Sequence, residues 1–240
     1  MSPDGLAILE HLRTVEAERE IRARDTALGE RVVAIKRYQH TRFERSYTDL
    51  LGQPRYAAAA RFFLNELYGP HDFSERDAQF ARVVPGLVRL FPREIVHTVR
   101  TLGELHALSE TLDSAMARVL DTAPVSPRAY MTAWQTASPE ADRYRQIDLM
   151  LAVARALDRY TRNPVLRHSL RLMRVPARAA GLGRLQTFLE SGFDTFRDMR
   201  GADEFLNTVT ARERGLAAAL FRGEAVENLP ELPLSEGNGA

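Results

Sequence analysis

The chain has 240 residues, and 33 basic side chains against 32 acidic ones leave a formal net charge of +1. This balance gives no overall signature of a nucleic-acid coat or a polybasic membrane protein, although charge can still be concentrated locally. The chain contains no cysteine, which excludes disulfides, thiolate nucleophiles, iron–sulfur clusters and cysteine zinc sites.

The spacing of apolar residues indicates the fold class. Apolar residues recur three and four positions apart through most of the chain, and alternating strand-like stretches are essentially missing. This pattern predicts an all-α fold, an orthogonal or up-down multi-helix bundle of about eight helices. The N-terminus lacks a basic region followed by an apolar run, and no long uninterrupted apolar stretch occurs. We therefore expect a soluble protein of the cytoplasm with no membrane span.

Residues 1–51 are predicted to form a charged N-terminal helical segment. Its first part offers the i,i+4 pairs Glu18 with Arg22 and Glu20 with Arg24, which support a solvated helix. Its second part carries an apolar stripe that can pack against the body of the protein or against a second subunit. The stripe consists of Leu28, Val32, Ile35, Phe43, Tyr47 and Leu50. The second alternative makes the segment a possible dimerisation arm, and we expect a homo-oligomer, most simply a homodimer.

Residues 52–223 are predicted to form the main helical domain, with prolines and glycines marking helix ends. Helix starts are expected at Pro92, after Ser126 and Ser138, and at Pro164 after the break at Asn163. Interruptions are expected near Pro85 and Val175–Pro176. Gly223 is expected to end the last helix, because glycine readily adopts the left-handed cap conformation. Residues 224–240 contain four glutamates and no basic residue, which predicts a disordered acidic tail.

Two sequence blocks carry a family resemblance. The first is RYAAAARFFLNELYGPHDFSERD at residues 55–77, and the second is LQTFLESGFDTFRDMRGADEFLNTV at residues 185–209. They resemble a family of uncharacterised bacterial helical proteins of this length. The resemblance spans most of the chain outside the charged N-terminus and the acidic tail. It implies a grouping and no particular activity.

A possible metal site begins with Glu94 and His97, an ExxH pair one helical turn apart of the kind found in di-iron helical bundles. Glu104 lies on the same side of that helix. A complete site of that type needs a second ExxH pair, which the sequence lacks. The alternative is that His97 and Glu104 are ordinary boundary residues beside an apolar stripe. The only cofactor that this region suggests is a divalent metal.

A second polar face follows on the same helix, where His106, Glu110 and Asp113 are spaced at i, i+4 and i+7. Such a face can bind a divalent cation or orient a general base, because the carboxylates fix the ring tautomer and raise its basicity. The simpler alternative is that these residues form ordinary ion pairs at the protein surface.

The loop around Gly69–Pro70 concentrates polar and titratable groups, and such loops often form binding sites. Its candidate ligand-binding residues are Tyr68, His71, Asp72, Arg76 and Asp77. The alternative is that the polar residues cap the next helix while the aromatic ones fill the core.

The clearest local charge lies between Asp158 and Glu190, where there are seven arginines and no acidic residue. Four of them form one basic stripe if a helix continues through Val175–Pro176: Arg167, Arg171, Arg174 and Arg178. Guanidinium groups suit carboxylate or phosphate, so the stripe predicts an anionic ligand or an acidic protein, with nucleic acid possible but less favoured. The alternative is that these arginines pair with acidic residues of neighbouring helices.

These features favour a non-catalytic binding or regulatory protein whose arginine-rich helix contacts an anionic partner. One alternative is a metal-dependent helical-bundle enzyme, an oxidoreductase or hydrolase, with Glu and His ligands. A second alternative is an apolar-ligand carrier, suggested by the aromatic residues within 56–80 and 188–205.

Overall fold

The structure, a computed structural model, describes residues 2–67, 69, 73–120 and 125–231. Its regular structure within those residues is helical, without strands, which confirms the all-α prediction. Eleven α-helices are present there, more than the expected eight, because breaks at Asp25, Tyr47 and residues 53–56 divide the N-terminal part into four helices. The helices are α1 Pro3–Arg24, α2 Thr26–Ser46, α3 Thr48–Gly52, α4 Ala57–Phe62, α5 Ser74–Leu90, α6 Arg93–Val119, α7 Pro127–Ala137, α8 Glu140–Thr161, α9 Pro164–Ala179, α10 Gly183–Asp198 and α11 Asp203–Arg222; a π-helical turn, Phe63–Leu67, continues α4.

Local capping explains the helix ends that the sequence marks. The Ser126 hydroxyl accepts a hydrogen bond from the backbone N–H of Ala129 at the start of α7, and the Asn163 side chain accepts one from Val165 at the start of α9. Gly223 ends α11 with a φ of 70°, the left-handed conformation that glycine adopts at little cost.

Two predicted interruptions are wrong, because α5 continues through Pro85 and α9 continues through Pro176. Proline removes one backbone donor and crowds the preceding turn, which usually ends or kinks a helix. Both prolines lie on exposed faces, so water can solvate the carbonyl that loses its helical partner. The four arginines of the basic stripe therefore lie on one continuous helix.

The long helix α6 lies at the centre of the fold and packs against α1, α2, α5, α7 and α8. The second central helix, α8, also contacts α9, α10 and α11. The apolar stripe of α2 and α3 is buried in the main core together with residues of α6, α8 and α11. This is the first of the two alternatives that the sequence left open, so the residues that suggested a dimerisation arm are covered within the chain. The homodimer stays a prediction.

The two blocks that carry the family resemblance pack against each other. The rings of Phe62 and Phe188 stack with their centres 5.6 Å apart. Phe63 of the first block contacts Phe196 and Phe205 of the second at 5.9 and 5.7 Å. These aromatic residues, which suggested an apolar-ligand carrier, thus contact one another. The two blocks form one packing unit that joins α4 to α10 and α11.

The described part of the acidic tail, residues 224–231, lies against the body of the protein. Leu229 is buried in the main core, and Val226 packs against it. Glu224 pairs with Arg222 at 2.5 Å. Leu229 thus attaches this part to the core. Residues 232–240 lie outside the described residues, and the disordered tail stays a prediction.

Candidate binding surface

Helix α9 is the most exposed long helix of the fold. Every residue of α9 is described, and Ala177 is the only buried one. The helix packs mainly against α10 and touches α8. Because α9 buries so little of its surface against its neighbours, most of this amphipathic helix is exposed to solvent.

Three faces run along α9, because successive helical residues are rotated by about 100°. The inner face, with Leu166, Leu170 and Ala177, is directed towards the body. The second face carries the four arginines. The third face is apolar and exposed, with Val165, Leu172 and Val175 retaining 68%, 64% and 76% of their accessible surface. Large exposed apolar side chains in one row mark an interaction surface more often than scattered ones.

The four arginines of α9 divide into two pairs. Arg174 binds both carboxylate oxygens of Glu190 in α10, at 2.8 and 3.1 Å, and Arg167 lies 3.4 Å from Asp194. These two confirm the intramolecular alternative. Arg171 and Arg178 form no ion pair with any acidic residue that the structure describes. They are the stripe residues open to a partner.

The charge of Glu190 is fixed by these contacts. The hydrogen bond from Arg174 lowers the pKa of Glu190, and the charge of Arg178 acts in the same direction. Glu190 therefore remains ionised and holds the inner edge of the stripe against α10.

The predicted loop site is only partly within the described residues. Tyr68, His71 and Asp72 lie outside them. Arg76, at the start of α5, lies 4.1 Å from the centre of the Phe73 ring, and its Nη1 donates to the carbonyl of Glu66.

Asp77, the other described residue of the predicted loop site, is buried among side chains of other helices. It accepts a hydrogen bond from Arg19 at 2.6 Å and lies 2.8 Å from Nε2 of His106. Burial alone would raise the pKa of Asp77, but His106 together with Arg76 and Arg19 lowers it to about 2. Asp77 thus joins α5 to α1 and α6.

The three residues of the predicted metal site do not lie together. Glu94 and His97 are exposed, and Glu104 accepts a hydrogen bond from Arg145 of α8 at 2.7 Å. Ten residues of helix place Glu94 about 15 Å from Glu104 along the axis, too far for one ion. Within the described residues, no group of three His, Asp or Glu side chains has the geometry of a metal site.

Two of the three residues on the second polar face of α6, Glu110 and Asp113, are buried. Glu110 accepts hydrogen bonds from Arg22 at 2.6 Å and from Lys36 at 2.5 Å. Burial alone would raise the pKa of Glu110, but the charges of Lys36 and Arg22 lower it to about 2. Asp113 accepts a hydrogen bond from Gln39, and burial raises its pKa. A bound ammonium and guanidinium exclude a divalent cation from this carboxylate.

Sequence reasoning missed a cavity of about 30 Å³ lined by residues of α2, α7, α8 and α11. Arg42 donates to Glu213 there at 2.5 Å, and the guanidinium of Arg143 lies 4.1 Å from the centre of the Trp134 ring. The signal was available in the sequence. Arg42 follows Ile35 of the apolar stripe by seven residues, so it occupies a core-facing position of α2. A charge at such a position indicates a buried polar site.

No helix within the described residues is long and apolar enough to cross a bilayer. A family model described as a domain of unknown function, DUF8198, matches residues 18–227. No curated protein and no solved structure matches the chain.

Proposed function

The chain belongs to the DUF8198 family, whose description assigns no activity, and from its own surface we propose that it is a non-catalytic binding protein. The binding site is the exposed side of α9. The partner is a protein that presents an amphipathic helix with acidic residues beside its apolar stripe.

One observation carries this proposal: the exposed residues of α9 have the spacing of a helix-pairing seam. They are Val165, His168, Leu172, Val175 and Ala179, alternately three and four residues apart, and all are exposed. A seam with this repeat packs side chains into the gaps of a second helix. Full burial of Val165, Leu172 and Val175 contributes about 1.5–3 kcal/mol each before the costs of association are subtracted.

The arginines specify the charge of the partner. Arg171 and Arg178 each directly precede a seam residue and lie seven residues apart. Positions that flank a helix-pairing seam form ion pairs across the interface. Arginine binds carboxylate through two parallel hydrogen bonds, so acidic residues at the matching positions of the partner fit this edge. Nucleic acid would engage the arginines and leave the apolar seam exposed, which favours a protein partner.

The experiment uses two synthetic helical peptides with the same apolar seam. One carries glutamate at the flanking positions and the other carries lysine. We expect the full-length protein to bind the acidic peptide and to prefer it over the basic one, as measured by fluorescence anisotropy. Reversing Arg171 and Arg178 to Glu should weaken acidic-peptide binding at least about tenfold.

A matched control reverses two equally exposed arginines elsewhere, Arg128→Glu with Arg155→Glu, which changes the net charge by the same amount. This variant should bind the acidic peptide as the parent does. Equal binding of both peptides, or equal losses in the two variants, would overturn the proposal. Binding to vesicles of anionic lipid without peptide binding would assign α9 to a membrane surface instead. If the protein forms a dimer with itself and Leu172→Glu dissociates that dimer, the partner of α9 is a second copy of the chain.

A further inference from the structure

The cavity between α2, α7, α8 and α11 is lined by unusually many buried donors. Three of its lining residues carry a polar atom that is buried without a hydrogen-bond partner among the described residues: Nε of Arg42, Oη of Tyr130 and Nε1 of Trp134. Each comes from a side chain that is at least nine-tenths buried. Buried polar groups are nearly always satisfied, so three unpartnered atoms around one cavity indicate an absent acceptor.

Two of the side-chain acceptors around the cavity are already occupied. Oε1 of Gln146 accepts a hydrogen bond from Nη1 of Arg143 at 3.3 Å. Glu213 is already bound by Arg42 at 2.5 Å and by the hydroxyl of Tyr47 at 2.7 Å. The unpartnered donors therefore need a further acceptor, and an anion accepts hydrogen bonds from several donors at once.

We propose that this cavity is a binding site for a small inorganic monoanion of about the size of chloride. Its volume of about 30 Å³ suits a single species of this size. A water molecule accepts two hydrogen bonds and must also donate two, whereas a halide accepts hydrogen bonds from every donor around it. The site is separate from α9 and does not depend on the function of that surface.

Trp134 makes the site directly measurable, because it is the only tryptophan in the chain. Its indole lines the cavity and is 6% exposed, so quenchers in bulk solvent reach it poorly. A bromide ion bound in the cavity contacts the indole and quenches its fluorescence by the heavy-atom effect. A chloride ion in the same place quenches much less.

The first experiment titrates sodium bromide into the full-length protein at constant ionic strength, with gluconate as the balancing anion. We expect quenching of Trp134 that saturates, and recovery of fluorescence when chloride displaces bromide. Gluconate is too large for the cavity and should give neither effect. Quenching that rises linearly with bromide and is not relieved by chloride would overturn the proposal.

The second experiment compares two buried tyrosines. Tyr130→Phe removes a donor from the cavity and should raise the bromide dissociation constant about tenfold. Tyr38→Phe is the matched control, because Tyr38 is equally buried, has its ring centre 4.6 Å from that of Tyr130, and does not line the cavity. Equal effects of the two variants would contradict a site at the cavity.

A crystal grown in sodium bromide provides a test that needs no variant. We expect an anomalous bromide peak within contact distance of Nε1 of Trp134. Electron density there without an anomalous signal would identify the occupant as water and overturn the proposal.

Discussion

A Cβ atom added to Gly192 in α10 would lie 2.9 Å from Cζ of Phe62 in α4. The Phe62 ring is buried and stacks on Phe188, so it cannot move aside freely. We expect Gly192→Ala to lower the free energy of unfolding by about 1–2 kcal/mol, because overpacking outweighs the better helix propensity of alanine. Urea denaturation followed by far-UV circular dichroism measures this change.

Gly215 is the matched control for this prediction. A Cβ added at Gly215 in α11 meets no atom within 4 Å. Gly215→Ala should therefore raise the free energy of unfolding by about 0.5–1 kcal/mol. A stabilising effect at both glycines would show that α4 and α10 pack less closely than described.

The buried ion pairs of Glu110 support a second prediction. Arg22 and Lys36 both donate to this carboxylate from α1 and α2, with little of either side chain exposed. Glu110→Gln removes the carboxylate that binds both of these largely buried cations, which should cost about 3 kcal/mol of stability. Chemical denaturation of the two proteins at neutral pH measures the difference.

Glu20 provides the comparison, because its pair with Arg24 lies on the exposed surface of α1. Glu20→Gln should change the free energy of unfolding by less than about 0.5 kcal/mol. A similarly small effect of Glu110→Gln would mean that water reaches the buried pair.

Features that depend on a few neighbouring residues were predictable from the sequence. The starts of α7 and α9 follow from Ser126 and Asn163, which bond to backbone N–H groups two or three residues later. The breaks expected at Pro85 and Pro176 were wrong, because the solvation of a helix face depends on the tertiary fold. Intrinsic helix propensity does not predict which face of a helix will be exposed to solvent.

The candidate site was predictable only in part for the same reason. The shared face of Glu110 and Asp113 follows from helical spacing, but the partners of Glu110 lie 88 and 74 residues away in the chain. For the arginine stripe of α9, the spacing does not predict which arginines have partners. Arg167 and Arg174 bind α10, whereas Arg171 and Arg178 do not pair with it. Helical spacing predicts the helix face on which a side chain lies, but the tertiary packing determines which residue it contacts.

Leu229 supports a third prediction, about the tail. Its side chain is buried in the main core although it lies beyond the last helix. Leu229→Ala should lower the free energy of unfolding by about 2–3 kcal/mol through lost burial and the cavity left behind. The control is Leu172→Ala, where the side chain is 64% exposed and an effect within about 0.5 kcal/mol is expected. Equal effects would place Leu229 outside the core.

The lowered pKa values of Asp77 and Glu110 predict a loss of stability in acid. Both carboxyls have a pKa of about 2 in the folded protein, below their ordinary values of 3.8 and 4.5. The unfolded chain therefore binds protons more readily at these positions, so their stabilisation is complete above about pH 5 and is lost towards about pH 2. Asp113 acts in the opposite direction, because burial raises its pKa and protonation relieves a cost in the folded state. Each of the two lowered groups contributes roughly 2–3 kcal/mol to the loss.

Urea denaturation between about pH 6 and about pH 3 tests this balance, and we expect the free energy of unfolding to fall across that range. Glu110→Gln and Asp77→Asn should each start from a lower stability and show a shallower fall, because each removes one titrating group. Glu20→Gln should leave the slope unchanged, since Glu20 is exposed and paired only within α1. A slope that is the same in all four proteins would mean that the acid sensitivity arises from other carboxyls.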